Sequence, residues 1–221
     1  MKRLHYALAT AILLAACSTN HTARYALSFN VQSPADQQAL TQMSMRVIER
    51  RVEHLGDKVL DKSVETKGSG TVLTVTLEQG KVINDLTKEL TRPFDLQIMA
   101  QTASGETADI TIEGRGSFKK AGITQADLVW VDARKDPTNG KGEVRLDFTP
   151  AGKTKMSALF KQSIGHDIGL FVHGRLISQL HVKTDSLPDN LIIRDVPTAE
   201  LAQVFAEDMD VGLHVIFTPL H

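Results

Sequence analysis

Tyr25-Ala26-Leu27-Ser28-Phe29-Asn30-Val31-Gln32-Ser33-Pro34-Ala35-Asp36 carries two signals in succession. Tyr25, Leu27, Phe29 and Val31 alternate with Ala26, Ser28 and Asn30, the period of a half-buried strand. Ser33-Pro34-Ala35-Asp36 then reads as a helix start, with Ser33 as cap, Pro34 first in the helix and a carboxylate two residues beyond it. Leu40, Met43, Val47, Ile48, Val52 and Leu55 continue as one apolar stripe at helical spacing, and Gly56 stops it.

Working outward, Val59 to Val64 forms a weaker strand and Gly68-Ser69-Gly70 a turn. Leu73, Val75 and Leu77 alternate with Thr74 and Thr76 as a clear strand. Val82, Ile83, Leu86 and Leu90 predict a short helix ending before Pro93. Phe94, Leu96, Ile98 and Ala100 give a closing strand. The order β-α-β-β-α-β predicts a ferredoxin-like base lobe over residues 25–101, within an α+β chain.

Residues 102–117, rich in Gly, Thr and Ser, read as a junction with one strand at Ile110 to Ile112, on which the lobes would swing. A second α+β lobe is expected over 118–221. Val144, Leu146 and Phe148 alternate as a strand, and Thr149-Pro150 caps a helix with Met156, Leu159, Phe160 and Ile164 inward. Ile168 to Val172 and Leu176 to Val182 form a hairpin around His173-Gly174-Arg175. Leu191 to Ile193 is a strand, Pro197 opens a helix with Leu201, Val204, Phe205 and Met209 on one face, and Leu213, Val215 and Phe217 end the chain as a strand able to pair with either lobe.

The amino terminus gives the compartment. Lys2 and Arg3 precede an apolar run from Tyr6 to Ala16, too short to span a membrane, and Leu14-Ala15-Ala16 leads into Cys17, the one cysteine. This resembles a bacterial lipobox: residues 1–16 as signal peptide, Cys17 acylated, and residues 17–24 as a polar tether. Two or more acyl chains, at about 0.8 kcal/mol per buried methylene, anchor a chain without a spanning helix. Ser18 to Arg24 reaches roughly 25 Å when extended. The expected location is the cell envelope, facing the periplasm, with Ser18 favouring the outer membrane.

Composition excludes several classes. Hydrophobic content of 42%, charged content of 23% and a net charge of −1 describe a folded chain with no basic excess for nucleic acid. Gly152-Lys153-Thr154 imitates the end of a phosphate loop, but the position of the leading glycine is Asp147, so no nucleotide is expected. His166, His173, His181, His214 and His221 lack the spacing of a zinc helix, and His166-Asp167 would be two ligands only if strands converged on them. No metal or cofactor is expected. There is no GxSxG elbow and no cysteine nucleophile, Glu207-Asp208 reads as a solvated pair, and no catalytic residue is assigned.

Arg46-Val47-Ile48-Glu49-Arg50-Arg51-Val52-Glu53-His54-Leu55-Gly56 resembles the start of the first large periplasmic domain of SecD, the accessory subunit of the Sec translocon. VRLDFTPAG from Val144, IGLFVHGRLIS from Ile168 and PTAELAQVFA from Pro197 follow in that domain's order. The resemblance covers nearly all of Tyr25 to Leu220, and implies a base lobe, a head lobe and an envelope location. It departs from the family in lacking the proton-coupled membrane helices, and in a segment Gln179 to Asn190 poorer in Gly and Pro.

The expected activity is therefore non-catalytic: a lipoprotein binding exported polypeptide, translocon subunits or another membrane-protein partner. The alternative is an assembly lipoprotein dedicated to one envelope partner. The candidate working surface is the hairpin, with Phe171 outward beside His173, Arg175 and Leu176. Arg46 and Arg50, one helical turn apart, form a second candidate docking face.

Overall fold

The computed structural model describes residues 21–68, 70–103, 105–185 and 190–220. The segment expected as a signal peptide, Cys17 and Ser18 lie outside them. The fold class is α+β, in two lobes sharing one helix.

The first strand, β1 (His21–Phe29), begins earlier than expected, because Ala23 continues the inward alternation and His21 to Arg24 pair with Leu77 to Thr74. Of the segment expected as a tether, His21 to Arg24 therefore belong to β1, which leaves four residues from Cys17, roughly 14 Å if extended. In α1 (Pro34–His54), the Ser33 hydroxyl accepts the Asp36 N–H at 3.3 Å, and Asp36 and the basic Arg51 and His54 sit at the helix ends that favour their charges. Leu40, Val47, Ile48 and Val52 are buried. Strands β2 (Val59–Lys67) and β3 (Gly70–Leu77) form a hairpin, and α2 (Ile83–Thr91) buries Leu86 and Leu90.

The expected closing strand does not close this sheet. β4 (Leu96–Gln101) leaves it, and Leu96 and Ile98 enter the second core. The place beside β1 is taken by the last strand, β12 (Val215–Leu220), antiparallel with Leu27 opposite Phe217. The resulting order, β12-β1-β3-β2, is ferredoxin-like, with the second lobe inserted before its final strand.

In the second lobe, β5 (Ile110–Ile112), β6 (Gly116–Thr124), β9 (Asp167–Val172) and β10 (Arg175–His181) join β4 in a sheet of order β10-β9-β4-β6-β5. The segment expected as a hinge is part of this sheet: Thr102 N–H donates to Ser117 O at 2.9 Å and Asp109 N–H to Phe118 O at 2.9 Å. A 3-10 turn at Gln125–Asp127 leads into β7 (Leu128–Lys135), which with β8 (Gly142–Phe148) and β11 (Leu191–Val196) makes a second sheet, β11-β8-β7. Helix α3 (Pro150–Gln162) is capped by Thr149, whose hydroxyl accepts Gly152 N–H at 3.0 Å. A Cβ at Gly152 would lie 2.3 Å from Asp127 O, so this glycine serves close packing. Ile164, expected inward, lies beyond the helix and is exposed.

Helix α4 (Ala199–His214) is shared by the lobes. Its buried apolar residues are Ala202, Ala206, Met209 and Val211, whereas Leu201, expected inward, is exposed. The small residues are needed because the approach is tight: a Cβ at Gly142 would meet Thr198 O at 2.4 Å and the Ala202 Cβ at 2.7 Å.

Candidate functional site

Of the expected site residues, Phe171, His173, Arg46 and Arg50 are engaged inside the molecule, and Arg175 is exposed. In the hairpin, His173 (φ 49°) and Gly174 (φ 77°) form a two-residue turn with both residues left-handed. His173 is turned to the lobe junction, its N–H donating to Asp95 O at 2.8 Å and its ring edge-on to Phe94 at 5.8 Å. Burial, then the Arg92 charge, lowers its pKa. Arg175 is exposed at the start of β10.

Phe171 is 2% exposed, which corrects the expectation of an outward aromatic. Leu170 does point into the main core, so the alternation was read in the right phase. The opposite face of the sheet is itself covered: Phe118 meets Phe171 edge-on at 5.3 Å, Met99 packs beside them, and Ile110, Ile112 and Leu176 close the cluster.

Arg46 and Arg50 are an internal clasp. Arg46 Nε donates to Glu207 Oε1 at 2.9 Å, and Arg50 donates to Glu207 Oε2 and Asp208 Oδ1, both at 2.8 Å. Glu207, read as solvated, is 4% exposed. Burial alone would raise its pKa. The hydrogen bonds from Arg50 and Gln203, with the charge of Arg46, outweigh burial and hold the carboxyl below its ordinary value. The clasp ties α1 of the first lobe to α4.

Asp167 and His181 converge across β9 and β10, His181 Nδ1 lying 2.7 Å from Asp167 Oδ1, while Gln179 Nε2 donates to the second carboxylate oxygen at 2.5 Å. Among the described residues, no three His, Cys, Asp or Glu side chains form a cluster able to hold a metal. No described helix is long and apolar enough to cross a membrane.

The open feature of the second lobe lies between its two sheets. Among the described residues β10 pairs only with β9, and β11 only with β8. The edges of β10 and β11 line one cavity of about 250 Å³, with Leu180, Leu191 and Ile193 on its walls and Ile98, Ile168 and Leu170 also lining it. A second cavity of about 380 Å³ adjoins it through Ser178, Ile193 and Arg194, and is lined by Ile177, Leu201 and Phe205. Ile177 is 45% exposed and Leu201 48%. Both strands are bulged here, β10 between Leu176 and Ser178 and β11 between Ile193 and Val196. The result is an apolar groove between two strand edges. The sequence does not tell Ile177 from Leu176, because a bulge shifts the phase of the side chains without a mark in the alternation.

No family model matches this chain, and no curated protein matches it. Solved structures do. The chain is similar to SecDF, a translocon-associated membrane protein from Thermus thermophilus, at 19% identity and a TM-score of 0.53, over 90% of this chain. It is similar to SecDF in a super-membrane-facing form at 19% identity and a TM-score of 0.50, again over 90% of this chain. In both cases it spans 30% of the length of the SecDF chain. These likenesses bear out a SecD-like periplasmic-domain fold.

Proposed function

We propose that this protein is a non-catalytic, periplasm-facing module that takes up extended polypeptide in the groove between β10 and β11, beside the protein-export machinery. The observation that carries the reading is a pair of strand edges, without a strand partner among the described residues, lining one groove. An extended chain placed there finds backbone hydrogen-bonding groups on the walls, and Ile177, Leu180, Leu201 and Phe205 as contacts for its side chains. A groove of this kind is tolerant of sequence, because the backbone supplies the hydrogen bonds.

The likeness to a translocon-associated protein supports a role in export, and acylation of Cys17 would hold the module at the membrane. With a tether of about 14 Å, the first lobe would stand close to the bilayer and the groove would lie on the lobe clasped to it.

The test is photo-crosslinking in living cells from a probe at Ile177, with a control probe at Val129, exposed on β7. Many different exported polypeptides captured at Ile177, and not at Val129, are expected. One dominant envelope protein at Ile177 would replace this reading with a dedicated assembly partner. Products at Val129 alone would place the working face elsewhere.

A further inference from the structure

Asp210 and His214 lie one turn apart on α4 and both reach the outer edge of β7. Asp210 Oδ1 accepts the Val131 N–H at 2.9 Å, and His214 Nε2 donates to the Val129 carbonyl at 2.9 Å. β7 ends its sheet, so these side chains cap an edge that no strand covers. The same end of α4 is tied to the first lobe. Asn30 donates from its backbone to His214 O at 3.1 Å and from Nδ2 to Leu213 O at 2.8 Å. Asn30 Oδ1 lies 2.6 Å from His214 Nδ1, and the Trp130 ring stacks on the His214 ring at 5.1 Å.

Asp210 is 1% exposed, and its second oxygen, Oδ2, is buried with no hydrogen-bond partner. The charges acting on it are unfavourable: Asp132 on β7 and Asp147 on β8. The ion-paired arginines of α1, β7, β8 and β11 are engaged elsewhere. Arg145 bridges Asp132 and Asp147, Arg46 and Arg50 from α1 hold Glu207, and Arg134 and Arg194 hold Glu143 on β8. β12 brings the apolar Val215 and Phe217, and Asp36 of α1 acts on His214. An ionised Asp210 would be a buried charge with one hydrogen bond and no counter-ion.

We propose that Asp210 is a proton-operated latch between the lobes: protonated, it seats α4 on the β7 edge, and on losing its proton it releases that edge. β7 and β11 are the two edges of one sheet, so release of β7 loosens the sheet whose other edge walls the groove. Burial, offset in part by the Val131 hydrogen bond and reinforced by Asp132 and Asp147, pushes the Asp210 carboxyl up to about 8. The folded pKa lies above the unfolded value of about 3.9, so the stabilising contribution is complete below that value and is lost as pH rises through about 8.

The latch is independent of what the groove binds, and the test needs no ligand. Amide exchange at Val131 and the carboxyl carbon shift of Asp210 are followed by NMR from pH 6 to 9.5 in the full chain and in Asp210→Asn. The expected result is an Asp210 titration midpoint near 8 and a Val131 protection factor that falls by up to about tenfold per pH unit, the limit for one proton, as pH rises from 6 towards that midpoint and levels off above it. In Asp210→Asn, which keeps the acceptor without the charge, protection is flat with pH. A carboxyl already ionised at pH 6, or the same fall in protection in both proteins, overturns the latch.

Discussion

The two lobes solve the same problem, how to end a β-sheet, in opposite ways. The first lobe draws β12 from the far end of the chain to sit beside β1, burying Val215 and Phe217 with Tyr25 and Leu27. The second lobe divides its strands between two sheets and leaves β10 and β11 unjoined across an apolar groove. The chain's own last strand fills the place beside β1, whereas on the proposed reading an added strand fills the place between β10 and β11. The sealed lobe holds the open one through α4, by the Arg46–Arg50–Glu207 clasp and the Asn30–His214 contacts. On the proposed reading, stability and binding belong to different parts of one molecule, and substitutions should separate them.

The largest effect is expected from ending the chain after His214. It uncovers the β1 edge and removes Val215 and Phe217, each contributing about 1.5–3 kcal/mol of burial. The first lobe should lose its cooperative melting transition, measured by circular dichroism; a full-strength transition would mean β4 closes that sheet after all. Phe171→Ala should cost about 3–5 kcal/mol by opening the small aromatic cluster. If it instead weakened polypeptide binding with no loss of stability in urea, Phe171 would be a contact residue. Glu207→Ala, which leaves Arg50 half-buried with Asp208 alone and removes the partner of Arg46, should cost about 2–3 kcal/mol. That is less than the ~3–5 kcal/mol of a fully buried pair, because Arg46 is partly in water. Ile177→Lys should change stability by no more than about 0.5 kcal/mol. It should nonetheless weaken capture of an unfolded, labelled polypeptide about tenfold, read by fluorescence anisotropy.

The parts legible in the sequence were those set by local periodicity. The Ser33 cap, the α1 stripe, the β2–β3 hairpin and the His173-Gly174 turn each declare themselves within a few residues. Two strands escaped for a physical reason. In β6, Phe118 and Ile123, five residues apart, face opposite sides of the sheet, and the ladder is interrupted between them by two extra residues, Ala121 and Gly122, with Gly122 at φ 69°. In β7 a bulge between Leu128 and Trp130 breaks the alternation in the same way.

The site was less legible than the fold. The partners of Arg46 and Arg50 lie more than 150 residues away in the chain, so an internal clasp reads as a charged surface. The cover over Phe171 comes from a separate hairpin. On α4, size misleads: alanines face the tight contact with β8, while Leu201 and Phe205 line the groove.

The central claim is that β10 and β11 are edges awaiting a strand. Amide exchange of the full chain, with and without a permanently unfolded polypeptide, tests it most directly. Binding should slow exchange in β10 and β11 together and leave the β12–β1 pair unchanged. Unchanged exchange in both strands, with protection appearing on the first lobe, would contradict it.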